Sequence, residues 1–210
     1  MHLVHVSISS YFSGIKQVGN LKSIIVFIIL EMQLPVKKNI FAISGSLRAG
    51  SSNHAILNLL KKMAPDDIAF TIYDNLADIP PFDPGNDHDR PHEAVSELRN
   101  FITNADAVII CTPEYAYGIP GQLKNALDWM VSSGSFTGKL TALITASTGG
   151  ENAHEALKKV LGAIDANRPQ EATLLISFIR SKMDGQGNVT DEQTNENLKA
   201  VLTTVINAIK

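Results

Sequence analysis

The sequence predicts an α/β fold: a doubly wound, five-stranded parallel sheet with helices on both faces. Three observations predict it. From Asn39 onward, short apolar runs alternate with longer stretches whose apolar residues recur at helical spacing. The runs are close to continuous in apolar residues, as parallel strands covered on both faces must be; Ala107–Cys111 (AVIIC) is the clearest. The resulting order, βαβαβαβαβα, is what successive strand–helix–strand units produce when their strands join one parallel sheet.

Each element has its own signal. Ile40–Ser44 is an apolar run broken at Gly45. Ser52–Met63 carries Ile56, Leu59, Leu60 and Met63 on one helical face, and Ile68–Tyr73 reads as a strand. After the proline-rich loop I-P-P-F-D-P-G-N-D, Pro91 suits the first turn of a helix whose buried face is Val95, Leu98 and Ile102. Ala107–Cys111 follows as a strand. The next helix has Leu123, Ala126, Leu127 and Met130 on its apolar face and Lys124 and Asp128 as an i,i+4 pair. Leu140–Ala146 is a strand ending in S-T-G-G, and Leu157, Val160, Leu161 and Ile164 mark a helix. Thr173–Phe178 reads as the last strand. Thr190 and Gln193 have the spacing of a capping box for a final helix with Leu198, Val201, Leu202, Val205 and Ile209 inside.

The 210 residues, 44% hydrophobic and 19% charged, fit one domain with a proper core. A net charge of −3 and the lack of a Lys/Arg run argue against nucleic acid as the main partner, since phosphate backbones demand concentrated positive charge. One cysteine excludes an internal disulfide and fits a reducing compartment, so a cytoplasmic protein is expected. Residues 1–36 differ from the rest, and Met1–Glu31 lacks clear caps. Their apolar run Ile24–Leu30 is far shorter than the roughly 20 residues of a membrane helix, and no small-residue cleavage site follows it. They are expected to be an extension outside the core, with 37–210 forming the domain. A membrane or secretory role and an added element of the fold are the other readings of this stretch.

In doubly wound sheets ligands sit beyond the carboxyl ends of the strands, where strand order reverses. Three strand ends here exceed what a plain turn needs. The first, G-S-L-R-A-G-S-S-N (Gly45–Asn53), opens a helix. Its hydroxyl and amide donors, the free N–H groups of the helix and the Arg48 guanidinium suit an anion. The stretch matches neither G-x-x-x-x-G-K-[ST] nor G-x-G-x-x-G, so a single phosphate monoester fits better than a nucleoside triphosphate or a dinucleotide. The third strand runs into T-P-E-Y-A-Y-G-I-P-G-Q-L-K-N-A-L-D-W (Thr112–Trp129). Its prolines and glycines stiffen the loop and let backbone approach a flat ligand, while Tyr115 and Tyr117 can stack on one. The fourth ends in Ser147–Gly150, whose glycines permit backbone contact at a ring edge.

G-S-L-R-x-G-S-x-N together with T-P-E-Y-x-x-G-I-P-G-x-L-K-N-A-L-D-W resembles the NADPH-dependent FMN reductase family of flavodoxin-like proteins, which includes quinone, azo-dye and chromate reductases. The resemblance spans Lys38 to Phe178. It implies a flavodoxin-like sheet that binds FMN and takes electrons from NADPH or NADH. By the resemblance, Ser46, Arg48, Ser51 and Asn53 hold the FMN phosphate. Pro113, Glu114, Tyr115, Ala116, Tyr117 and Gly118 line the isoalloxazine ring, with Ser147, Thr148, Gly149 and Gly150 on its other side. Many members have Asn after P-E-Y, where this chain has Ala116, which leaves only backbone contact at that position. A homodimer or homotetramer is also implied.

The expected activity is therefore reduction of a small-molecule acceptor (quinone, azo, nitro, metal-oxyanion or free flavin) by a ping-pong route, with the flavin supplying the chemistry and no catalytic side chain. The alternative is a flavodoxin-type electron carrier without substrate turnover; such carriers tend to be strongly acidic for docking, against which the modest charge argues. Cys111 reads as a buried strand thiol. His88 and His92, in a loop broken by Pro91, read as solvated rather than as metal ligands, so no metal site and no membrane contact are expected.

Overall fold

Alternation along the strands decides how the sheet is covered. The computed structural model of the chain describes residues 37–88 and 90–210; the expectation for 1–36 lies outside them. Five strands, β1 (Lys38–Ser44), β2 (Ile68–Tyr73), β3 (Ala107–Thr112), β4 (Thr141–Ala146) and β5 (Thr173–Ile176), pair in parallel in the order β2-β1-β3-β4-β5. The helices are α1 (Ser52–Met63), α2 (Glu93–Asn104), α3 (Gly121–Asp128), α4 (Glu151–Ala163) and α5 (Glu192–Ile209). Successive strand residues point to opposite faces. Ile40, Ala42, Ile109 and Ile144 pack with Ile56 and Leu60 of α1 and Leu198 and Val205 of α5. Phe41, Ile43, Val108, Ile110 and Leu143 pack with Leu98 of α2, Leu123 of α3 and Leu157 of α4. β3 and β4 are buried at every position, as the unbroken apolar runs required.

Several boundaries differ from the sequence expectation. Pro91 is not in the first turn of α2: His92 is the N-cap, its Nδ1 accepting from the Ala94 N–H at 3.3 Å, and Pro91 precedes it. An imidazole nitrogen can do what a Ser or Asp oxygen does at this position, without the usual cap signature. The last helix is capped by Asp191, which accepts from the Thr194 N–H at 2.8 Å, not by Thr190. Thr190 instead donates its N–H to the Lys182 carbonyl at 2.9 Å, which holds it in the preceding loop. β5 stops at Ile176, not Phe178, because Phe178 adopts a left-handed φ of 54° and starts a 3-10 turn. α3 ends at Asp128, with Met130 still buried in the turn beyond it. The Lys124–Asp128 pair forms as expected.

The long loop after β2 is fastened to α2 and α3. Arg99 donates to Asp87 at 2.7 Å and to the Trp129 carbonyl, and the Trp129 indole N–H donates to the Pro80 carbonyl at 2.9 Å. Burial raises the Asp87 pKa, but hydrogen bonds from Arg99 and Ser132 outweigh it and leave the carboxyl below its ordinary range.

The tightest join in the sheet is where β1 ends beside β3. The Gly45 N–H donates to the Cys111 carbonyl at 2.8 Å. A Cβ on Gly45 would lie 2.4 Å from Thr112 Oγ1 and 2.9 Å from Leu123 Cδ2. Gly45→Ala should therefore push β1 off β3 and lower the unfolding free energy by about 1–3 kcal/mol, the range for overpacking a core. Urea denaturation of the two proteins measures this; an unchanged midpoint would show that the join relaxes freely.

Candidate functional site

The connections after β1 and β3 leave to opposite faces of the sheet, which opens a crevice between their first residues. In it lies a cleft of about 170 Å³. It gathers residues from all three strand ends that the sequence singled out: Ser46, Arg48, Ser51 and Asn53 after β1, Pro113, Glu114 and Tyr115 after β3, and Ser147 and Thr148 after β4. Ala116, Tyr117, Gly118, Gly149 and Gly150 lie outside its lining. Gly150 is buried: a Cβ there would come within 2.9 Å of Leu175.

The β1–α1 loop builds an open helix N-terminus. Ser51 is the N-cap, accepting from the His54 N–H at 3.1 Å. The N–H groups of Ser52 and Asn53, in the first turn, find no acceptor among the described residues. The Arg48 N–H donates to Ser46 Oγ at 3.3 Å, which shapes the turn and leaves the Arg48 guanidinium exposed and without an acidic partner among the described residues. The Asn53 side chain is already engaged. Its Nδ2 donates to the Ala146 carbonyl at 3.2 Å, and its Oδ1 accepts from the Cys111 thiol at 3.3 Å. It straps α1 to β3 and β4, so its side chain serves first to position the helix start. Burial pushes the Cys111 thiol far above its ordinary range, which keeps it protonated and unreactive.

The β3–α3 loop is held by three contacts. Tyr115 OH lies 3.2 Å from Ser46 Oγ, joining it to the first loop. The Glu114 N–H donates to Ser147 Oγ at 3.2 Å, joining it to the β4 end. Glu114 Oε2 accepts from the Ala153 N–H at 2.9 Å. That last bond answers a deficiency in the sequence: α4 opens on Gly150, whose φ is 116° and which has no side chain to cap with. The Glu114 carboxylate caps α4 from another loop and meets the positive end of its dipole. The α4 N-terminus is thus closed by a carboxylate, while that of α1 lines the cleft and is free among the described residues.

Tyr115–Gly118 is a tight turn with reciprocal N–H to carbonyl bonds of 3.0 Å between its ends, and Ala116 and Tyr117 at φ 48° and 59°. Positive φ at both central positions is the type I′ geometry, which ordinarily takes Asn and Gly. Tyr117 is 82% exposed on the tip. Among the described residues the His88 and His92 side chains make only local turn bonds, accepting from the N–H groups of Arg90 and Ala94. No cluster of metal-ligating side chains occurs among the described residues.

Sequence reasoning missed Ile179 and Arg180, which complete the cleft wall. They sit on the 3-10 turn after β5, docked by the Phe178 and Ile179 N–H groups donating to the Thr148 and Ser147 carbonyls at 3.0 and 3.1 Å. No local motif marks Arg180; only the pairing of β5 with β4 brings it in. Glu114 was readable: a helix beginning G-G-E-N with no capping residue needs its cap from elsewhere.

The donor set suits a dianionic phosphate monoester: N–H groups at a helix start and two guanidinium groups that have no partner among the described residues, with serine hydroxyls beside them. The crevice fits the phosphate end of a flavin nucleotide.

Residues 38–180 match the model of a family described as NADPH-dependent FMN reductase. The chain is 34% identical over 174 residues to a quinone reductase of Escherichia coli K12, covering 80% of this chain and 93% of that one. It is 31% identical to a 2-hydroxy-1,4-benzoquinone reductase of a Burkholderia species, over 78% of this chain and 91% of that one. Among solved structures, FerB, a flavoenzyme NAD(P)H:(acceptor) oxidoreductase of Paracoccus denitrificans, superposes with a TM-score of 0.71 at 30% identity, covering 82% of this chain and 97% of that one.

The left-handed turn gives a direct test. Ala pays a steric cost at φ 48° that Asn largely escapes. Ala116→Asn should raise the unfolding free energy by about 0.5–1 kcal/mol, read from thermal or urea unfolding. A loss of stability would mean that the turn does not hold this geometry in solution.

Proposed function

The chain belongs to the NADPH-dependent FMN reductase family, and we propose that it seats FMN by its phosphate at the α1 N-terminus and delivers electrons from NAD(P)H to quinones. It is an oxidoreductase that uses FMN and NAD(P)H. The observation that carries the site assignment is the contrast between the two helix starts: α4 is capped by Glu114, while α1 offers free N–H groups beside Arg48. FMN, when bound, supplies the hydride and electron transfer.

The residues divide the work. Ser46, Arg48, Ser51 and the backbone N–H groups of Ser52 and Asn53 hold the phosphate. Pro113 to Gly118 support the isoalloxazine ring, with Ser147 to Gly150 along its far edge. Ser46–Tyr115 and Glu114–Ser147 fix the distance between the phosphate end and the ring end. The exposed ring of Tyr117 offers a flat apolar face to a quinone or a nicotinamide. Quinone is favoured as acceptor by the names of two relatives; azo, nitro, metal-oxyanion and free flavin acceptors form the rest of the panel to be assayed with both nucleotides.

A homodimer or homotetramer is the assembly that the family resemblance implies. Reliance on NAD(P)H and a single reduced thiol support a cytoplasmic setting. Among the described residues no helix is long and apolar enough to cross a membrane.

Two measurements test this reading. Arg48→Ala should weaken FMN binding about ten- to a hundredfold, the worth of one charge-assisted hydrogen bond, and leave riboflavin, which lacks the phosphate, nearly unaffected. Lys at this position should restore part of the loss. Equal weakening of both flavins would place Arg48 at the ring instead. In steady-state kinetics, double-reciprocal plots against NAD(P)H at several quinone concentrations should be parallel, because donor and acceptor take turns at one open face. Intersecting lines would show both bound at once.

A further inference from the structure

The cleft that suits an anion carries an anion of its own. Among its described lining residues Arg48 and Arg180 are the cations and Glu114 is the one carboxylate. A carboxylate in the wall opposes phosphate binding, and capping α4 does not demand one, since a neutral amide or hydroxyl oxygen accepts from a helix N–H as well. The position of the charge is specific. Glu114 reaches from the β3–α3 loop to the N–H of Ala153, 39 residues on, and accepts from it at 2.9 Å. Its own N–H donates to Ser147 Oγ at 3.2 Å, and its second oxygen, Oε1, lies 3.9 Å from where a Cβ on Gly149 would stand. Glu114 is half-buried between these two loops, the ones assigned to the two sides of the flavin ring.

We propose that Glu114 sets the reduction potential of the bound flavin: its fixed negative charge, held beside the ring by the α4 cap, lowers that potential. The inference rests on the assignment of the ring to the β3 and β4 loops. Accepting a hydride from NAD(P)H brings the ring two electrons and one proton, so the ring gains one negative charge. A carboxylate nearby disfavours that charge, and a half-buried one is screened less than an exposed one. The same carboxylate balances the positive end of the α4 dipole, which alone favours the reduced ring. A lower potential makes the reduced flavin a stronger donor to its acceptor and a weaker acceptor of hydride from NAD(P)H. Glu114 acts here through charge and position, not as an acid or base.

The test is the midpoint potential of the FMN-loaded protein at neutral pH, measured by equilibration with a reference dye, for the parent, Glu114→Gln, Glu114→Asp and Glu151→Gln. Gln keeps an oxygen that can accept from the Ala153 N–H and removes the charge. Asp keeps the charge and is too short to reach the N–H. Glu151→Gln removes an exposed charge from the first turn of the same helix. Glu114→Gln should favour the reduced flavin about tenfold, a rise of roughly 30 mV for a two-electron couple. Glu151→Gln should change the equilibrium by less than about threefold, because its charge is screened by solvent. Glu114→Asp should stay within about threefold of the parent while unfolding at a lower temperature, because the cap is lost.

An unchanged or lower potential in Glu114→Gln overturns the proposal. So does an equal rise in Glu151→Gln, which marks a diffuse effect of net charge, or an equal rise in Glu114→Asp, which marks the cap rather than the charge as the cause. FMN and riboflavin titration of Arg48→Ala, run alongside, separates this inference from the site assignment. If Arg48→Ala loses FMN selectively while Glu114→Gln leaves the potential unchanged, the phosphate site stands and this inference falls. If Arg48→Ala binds FMN as the parent does, the site assignment itself fails and takes this inference with it.

Discussion

The site depends on one topological constraint, that the chain leaves β1 towards one face of the sheet and β3 towards the other. With strand order β2-β1-β3-β4-β5, no helix can cover the crevice between these two strand ends. The backbone there must still satisfy its polar groups, and it does so by binding neighbouring loops rather than by continuing a ladder. Gly45 makes the crevice narrow enough, since any side chain at its position would strike Thr112 and Leu123. Asn53 then straps α1 across the carboxyl ends of β3 and β4. A buried amide with both ends bonded is costly to move, so the first turn of α1 is fixed relative to the sheet. The open N–H groups of that turn consequently point at a defined place.

Charge is sorted on the same frame. Helix starts attract anions without regard to which anion is wanted. α4 starts beside the β4 end, and left uncapped it would offer a second anion site. Glu114 fills that site by supplying the anion from within the protein. The same residue also bonds through its N–H to Ser147, so charge neutralisation and loop positioning are one device. The β3–α3 loop is therefore held by the helix that it caps, and a change in either reaches the other.

The sequence made the framework legible because it depends on local rules. α1 and β2 lie where the apolar spacing put them, and the unbroken apolar runs of β3 and β4 correspond to strands buried on both faces. Helix caps were less legible. His92 caps α2, with Pro91 before it and not in its first turn, and Asp191 caps α5 in place of Thr190, because a cap is chosen by which side chain reaches the N–H groups, not by the motif alone. Cleft residues from the β1, β3 and β4 ends were readable as motifs. Arg180 was not, since it reaches the cleft only through the register of β5 against β4 and a left-handed Phe178 that ends the strand early. The occupied side chain of Asn53 was hidden for a related reason: its partners are 58 and 93 residues away.

The backbone outliers complete the picture. Ala116, Tyr117 and Phe178 are non-glycine residues in left-handed conformations, each less favourable than an ordinary turn by an amount on the order of 1 kcal/mol. Such conformations persist only where the surroundings over-determine them. Here the surroundings are specific: the reciprocal bonds between Tyr115 and Gly118 close one turn, and the bond from the Phe178 N–H to the Thr148 carbonyl closes the other. Both carry an aromatic ring in solvent, Tyr117 at 82% and Phe178 at 64% exposure. A fold gains nothing by itself from holding an exposed ring on strained backbone. The strain is intelligible if these rings are held in advance for flat partners, so that ordering the loop is not charged against binding them.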